Sequence, residues 1–117
     1  MTGRTLGTRS LAAAGVGAGL ALVTRPRQVA DAVAPTYPSN RLWVARLLGA
    51  RLLVQHAAVL AAPRPAVLRA AAAVDGLHAA SMVPLLRSAR YGRAARVSGG
   101  AAAGTALVAL ALASGRR

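Results

Sequence analysis

Residues 66–86 read AVLRAAAAVDGLHAASMVPLL, an apolar run with an aspartate, Asp75, near its centre. At about 1.5 Å of rise per residue, a helix of this length crosses the roughly 30 Å hydrocarbon core of a bilayer. A carboxylate at that depth has no water to hydrate it, so it must be protonated, paired or functional. Asp75 is also one of only two acidic residues, against fifteen basic ones. The run therefore predicts a membrane environment and singles out Asp75.

The composition of the whole chain favours a membrane protein over a soluble one. The 117 residues allow a single domain, residues 1–117, and 56% of them are hydrophobic. Only 15% are charged, too few to cover the outside of a soluble domain, and they gather at the edges of apolar blocks. A net charge of +13 would suggest nucleic-acid binding, but the chain has three aromatic residues and no phosphate-binding loop, so we expect no nucleic-acid partner. The absence of cysteine excludes disulfides, thiolate metal sites and a cysteine nucleophile.

Four apolar segments predict an all-α fold, an integral membrane four-helix bundle. Pro63 and Pro65 end the second segment, because proline cannot continue the backbone ladder of a helix, and they predict a central helical hairpin. The last segment carries no charge and is the clearest membrane span. The predicted helices cover approximately residues 6–24, 42–62, 66–86 and 97–115, with a proline-containing linker at 25–41.

The first segment has a rival interpretation as a cleaved signal peptide. Its basic start and apolar centre fit a signal, and the small residues 32–34 resemble a cleavage site. Pro35 follows that site directly and disfavours cleavage, and Arg25 and Arg27 fall where a signal peptide is neutral. An uncleaved helix is therefore the favoured prediction.

The arginines also predict orientation and location. Seven of them fall on the side of the linker and the loop after residue 86, against five on the other side. This slight excess makes the first side cytoplasmic, leaves both termini outside, and predicts a multi-pass protein of the bacterial inner membrane. The densest basic cluster lies in that loop, where we expect it to contact lipid headgroups: Arg87, Arg90, Arg93 and Arg96.

Depth along the hairpin predicts a partner for Asp75. Arg51 lies twelve or thirteen residues before the turn at 63–65, and Asp75 lies ten or eleven after it, so both sit roughly 15 to 20 Å from that surface. Opposite charges at matching depth on antiparallel neighbours can meet, and each needs the other in lipid. Helical spacing adds further polar side chains to each face. The predicted intramembrane polar core comprises Arg51, Gln55, Asp75, His78 and Ser81.

This polar core has two interpretations. Asp75 and His78 can form a proton-handling pair tuned by Arg51, or the whole set can be a hydrogen-bonded structural clasp. The clasp is favoured, because a carboxylate neutralised by arginine is a poor proton carrier. Ser81 cannot complete a catalytic triad on a single helix, and no metal-ligand spacing is present, so we expect no catalytic residue, metal or cofactor. His56 lies about 140° around the helix from Arg51 and is expected to reach the near interface.

Three smaller features carry predictions. Two glycine pairs, Gly15 with Gly19 and Gly100 with Gly104, have the spacing of close helix contacts in membranes, although glycine-rich sequence also produces it by chance. Pro84 is expected to kink the third helix and free the carbonyl of Ala80.

Two stretches, Arg46–Gln55 and Val74–Met82, resemble the paired-helix core of small uncharacterised actinobacterial multi-span membrane proteins. The resemblance covers about a third of the chain. It implies a small helical membrane protein without a known reaction, and it assigns no functional residue.

The expected function is that of a structural or accessory subunit, not an enzyme. Its expected partners are membrane lipids and either a larger membrane complex or further copies of itself. One alternative is a small proton-coupled exporter acting as a dimer, for which four spans and one embedded carboxylate suffice. Another is a basic peripheral protein that binds anionic lipid through residues 87–96.

Overall fold

The computed structural model describes residues 3–114, which form five α-helices and no strand. Four helical segments are long and apolar enough to cross a membrane: Gly3–Thr24, Ser39–Ala61, Pro65–Leu85 and Gly92–Ser114. The predicted all-α bundle is confirmed, and the chain has the organisation of a multi-pass membrane protein. The helices are α1 (Gly3–Thr24), α2 (Pro26–Val33), α3 (Leu42–Ala61), α4 (Pro65–Met82) and α5 (Gly92–Ser114), with short 3-10 turns at Ser39–Arg41 and Val83–Leu85.

The linker predicted at 25–41 is not all loop, since α2 occupies eight of its residues. Pro26 stands in the first turn of that helix, where the missing N–H of proline costs nothing because the first N–H groups of a helix have no partner within it. The prolines that suggested a loop therefore include one that starts a helix.

The boundaries around residue 86 also differ from the prediction. Pro84 does not kink α4 but follows its end in a 3-10 turn, and the N–H of Val83 donates to the carbonyl of Ala80, which is therefore not free. The fifth helix begins at Gly92 instead of residue 97, so Arg93 and Arg96 belong to its first turns. Arginine is a good helix former, and its long side chain reaches the interface from a helix end. The predicted helix end at 115 and the closing arginines 116 and 117 lie outside the described residues.

The long helices pack as two pairs, α1 along α3 and α4 along α5. The turn Ala62–Arg64 joins α3 to α4, as the two prolines predicted, but these consecutive helices contact each other over only a short stretch. The hairpin at the centre of the sequence thus connects the two pairs instead of forming one of them. The contact between α1 and α3 is not imposed by a connecting turn, because α2 lies between these helices in the chain.

Small residues explain the closeness of the α1–α3 pair. A Cβ atom on Gly19 would lie 2.7 Å from the backbone oxygen of Gly49, and one on Gly15 would overlap the ring of His56. The spacing of Gly15 and Gly19 is therefore a packing motif. The second glycine pair, Gly100 and Gly104, has nothing within 4 Å of an added Cβ and faces outward.

The two pairs meet in the half of the bundle near the Ala62–Arg64 turn. There all four long helices contribute to one apolar core, built mostly from alanines that allow close approach. In the other half the pairs separate and enclose a cavity. The buried core residues are Ala12, Val59, Leu68, Ala71, Ala72, Ala106, Ala109 and Ala113.

We predict that Gly19→Ala destabilises the protein by about 1–3 kcal/mol, because the new methyl group must displace the backbone of α3. Gly17→Ala, on the same helix, is the matched control, with open space around the added methyl group and a helical gain of roughly 0.5–1 kcal/mol. Unfolding in detergent micelles, followed by circular dichroism, measures both variants. Equal stability of the two would contradict the close α1–α3 contact.

Candidate functional site

Asp75 is held by two other helices. Its side chain is 2% exposed, and its two oxygens accept from different elements. Oδ1 lies 3.3 Å from Nη1 of Arg51 on α3, and Oδ2 accepts a 2.9 Å hydrogen bond from the hydroxyl of Thr105 on α5. The carboxylate on α4 therefore ties both helix pairs together.

Arg51 and Gln55 complete the α3 side of this tie. The Nη1 atom of Arg51 also donates to Oε1 of Gln55, one turn along the helix, at 2.8 Å. The side chain of Arg51 is 27% exposed, whereas that of Asp75 is almost fully buried. The predicted contact between Arg51 and Asp75 is confirmed. A buried charge of this kind is stable only when its partner and its remaining hydrogen bonds are present.

The sequence pattern did not identify Thr105 as a member of the polar core. It lies near the middle of the uncharged last segment, so counting residues from the segment's ends would have placed it near the depth of Asp75. Depth alone does not give the rotation of α5 about its axis, which depends on how α5 packs against α4.

Ser81 does not join the polar core. It is exposed, and its hydroxyl donates to the carbonyl of His78 on its own helix at 2.7 Å. Serine often satisfies itself in this way within a helix. His78 is half-buried and lines the same cavity as Asp75, and its buried Nε2 atom has no hydrogen-bond partner. We call Arg51, Gln55, Asp75, His78 and Thr105 the polar cluster.

The position predicted for His56 is wrong. Its side chain is 3% exposed and lies against Gly15 of α1, with Nδ1 3.0 Å from the carbonyl oxygen of Leu52. The missing side chain at Gly15 leaves room for the imidazole ring, so the ring packs between helices and does not reach the interface.

A cavity of about 740 Å³ lies between the two helix pairs and is lined in part by the polar cluster. This volume falls within the roughly 300–1,000 Å³ typical of small-molecule sites. Most of its wall is aliphatic, but Arg51, Asp75, His78 and Thr105 form a polar part of the wall, and His56 also lines the cavity. Its outer part, toward the linker, is lined by Tyr37, Arg41, Trp43 and Tyr91.

The short helix α2 covers part of this cavity. It contacts α1, α3 and α5, and it turns Pro26, Val29 and Ala30 toward the cavity while Arg27 and Asp31 are exposed. Its apolar side thus closes the apolar wall, and its polar side faces away from the bundle.

Three contacts fasten the α2 region to the start of α5. Nε of Arg93 donates to the carbonyl of Val33 at 2.8 Å, and the hydroxyl of Thr36 donates to the carbonyl of Arg90 at 3.3 Å. The rings of Tyr37 and Tyr91 meet edge to face, with centroids 5.7 Å apart. These contacts hold the cover in place across the two helix pairs.

The hydroxyl of Tyr37 donates to the carbonyl of Arg41 at 2.9 Å. Burial, followed by the neighbouring Tyr91, raises the pKa of Tyr37 above its ordinary value of 10.0, and the positive charge of Arg41 opposes this only in part. The hydroxyl therefore keeps its proton, and its donor role, throughout the physiological pH range.

A second cleft, of about 540 Å³, lies between other faces of α3 and α4. Arg51 lines both cavities, and Gln55 lines the second one, where its buried Nε2 atom has no partner. The contact between Arg51 and Asp75 thus crosses a gap that is loosely filled on both sides, so it is a main link between α3 and α4.

The basic cluster predicted to contact lipid lies at the linker end of the bundle. All four of its arginines are exposed. Arg96 donates to the carbonyl of Leu86 at 3.3 Å, as Arg93 does to Val33, so these two also order nearby backbone.

No group of three histidine or acidic side chains that could hold a metal ion occurs among residues 3–114. Comparisons with protein-family models, with curated proteins and with solved structures found no match to this chain. The role of the site is therefore inferred from its geometry alone.

We predict that Arg51→Ala and Asp75→Ala each destabilise the protein by about 3–5 kcal/mol, since each leaves a buried charge unpaired. The double variant should be clearly milder than the sum of the two, as measured by unfolding in detergent micelles. Arg46→Ala combined with Asp75→Ala is the matched control: Arg46 is exposed on the same helix, and its loss should add independently. Additivity in the Arg51 double variant would refute the ion pair.

Proposed function

We propose that this protein is a structural or accessory subunit of a bacterial cell membrane, with no catalytic activity of its own. The observation that carries the proposal is that both oxygens of Asp75 are engaged, one by Arg51 and the other by Thr105. An acid held in this way links helices and is a poor site for carrying protons. Because α3 and α4 contact each other over only a short stretch, this ion pair is one of the main links between them.

The outer surface supports an accessory role. Large apolar side chains such as Leu47, Val54, Leu77 and Leu107 are between 61% and 73% exposed, which suits contact with lipid or with other membrane helices. The outward-facing glycines 100 and 104 leave room for the backbone of a partner helix. These surfaces fit a larger membrane complex or a homo-oligomer.

A small proton-coupled exporter acting as a dimer is the second candidate. The cavity and the unpartnered Nε2 atom of His78 favour it, because a transported molecule needs a chamber that reaches a polar group in the membrane. The contact between Arg51 and Asp75 counts against it, since a transported proton or cation would compete with the arginine. The third candidate, a peripheral lipid-binding protein, would use the exposed arginines at 87–96.

We predict that the protein stays in the membrane pellet after extraction with alkaline carbonate and with high salt, because four apolar helical segments cross the bilayer. Immunoblotting of pellet and supernatant measures the distribution. Release by either treatment would favour the peripheral candidate and sink the integral one.

We predict that proteoliposomes of the purified protein show no proton flux above that of empty liposomes, as reported by a pH-sensitive dye under an imposed potential. In the same study, affinity purification from native membranes should recover a partner subunit in a fixed ratio. A flux that disappears in Asp75→Asn, but persists in an exposed-site control such as Arg46→Gln, would instead establish the exporter.

A further inference from the structure

We propose that the cavity between the two helix pairs binds a neutral, lipophilic molecule whose carbonyl oxygen is held by Arg51 and His78. This site is independent of whether the protein serves as an accessory subunit.

The aliphatic lining of the cavity favours an apolar ligand. Along most of its length it is lined by aliphatic side chains from α1, α2 and α3, among them Leu11, Leu22, Val29, Leu48 and Leu52. A space of about 740 Å³ bordered by such groups loses dispersion contacts when nothing fills it, and an apolar molecule restores them. The bilayer around the protein is a reservoir of molecules of this kind.

The polar part of the cavity wall contains hydrogen-bond donors that have no partner in the protein. Both oxygens of Asp75 are already bonded, so the carboxylate offers little to a ligand. By contrast, Nε of Arg51 and Nε2 of His78 are buried without a hydrogen-bond partner, and both side chains line the cavity. The guanidinium has only donors, and the imidazole donates when its proton is on Nε2. The ligand that fits is one whose polar end is an acceptor oxygen.

The charges of Arg51 and Asp75 favour a ligand whose acceptor group is neutral. The positive charge of Arg51 is balanced by the carboxylate 3.3 Å away. A ligand anion would lie beside that carboxylate in a medium of low dielectric constant, and a ligand cation would face the guanidinium. A ketone, ester or quinone carbonyl accepts hydrogen bonds without adding charge. Two membrane sources share this chemistry, the ester of a glycerolipid and an isoprenoid quinone.

Trp43 provides a reporter for binding. It is the single tryptophan of the chain and lines the outer part of the cavity. The purified full-length protein is placed in nanodiscs of diether phosphatidylcholine, which lacks ester carbonyls. Its fluorescence is then titrated with decyl-benzoquinone and, separately, with a dibrominated diacylglycerol, since quinones and bromine atoms both quench tryptophan. We expect saturable quenching with at least one probe, and the probe that saturates identifies the source.

Two alanines of α5 form a matched pair for this assay. Both are exposed, but only Ala101 lines the cavity. Ala101→Leu should weaken binding at least about tenfold, because the larger side chain takes ligand space, whereas Ala103→Leu should leave binding unchanged. Ala45→Leu fills the same cavity from α3 and serves if circular dichroism shows that Ala101→Leu does not fold. His78→Phe, which keeps the volume and removes the donor, should weaken binding by about tenfold.

Quenching that rises linearly with probe, and equally in Ala101→Leu and Ala103→Leu, would show probe dissolved in lipid and would overturn the site. Tighter binding of a dibrominated fatty acid than of either neutral probe at neutral pH would overturn the assignment of a neutral ligand. Unchanged binding in His78→Phe would overturn the role of His78.

Discussion

A carboxylate at the centre of a membrane-spanning helix is stable only if neighbouring helices bring donors to it, and in this protein two of them do. Asp75 on α4 receives Arg51 from α3 and Thr105 from α5. The Arg51 contact crosses the gap between the helix pairs, whereas the Thr105 contact lies within the α4–α5 pair. The relative position of the pairs therefore rests on this ion pair together with the shared apolar core and the contacts of the α2 region with α5.

The small residues of the chain produce the rest of the arrangement. Glycines 19 and 49 let α1 and α3 approach until backbones touch, and alanines do the same where all four long helices meet. Close packing in that half leaves the other half open, because the helix pairs separate toward the linker. The short helix α2 covers the opening and is fastened to α5 by side-chain contacts. The tightly packed half of the bundle and the cavity in the other half thus both result from the uneven distribution of small residues.

The polar cluster is better suited to holding helices and an uncharged ligand in place than to transporting protons or cations. Both oxygens of Asp75 accept hydrogen bonds, while the buried side-chain atoms without a partner, on Arg51, Gln55 and His78, are nitrogens. Such a site offers hydrogen bonds to an uncharged acceptor and has no unpaired carboxylate for a proton or a cation. A subunit that positions helices and keeps a lipophilic molecule in place would use each of these features.

Residue order was enough to predict the four apolar spans, the turn between α3 and α4, and the meeting of Arg51 with Asp75. The reason is that the rise of a helix is constant, so counting residues from a proline turn gives depth. The pairing of the helices, the rotation of α5 that presents Thr105, and the position of His56 could not be predicted in this way. Those outcomes depend on contacts between helices distant in sequence, above all on which small residues face each other. Ser81 shows the limit of helical spacing: it shares a face with Asp75, yet it bonds its own backbone.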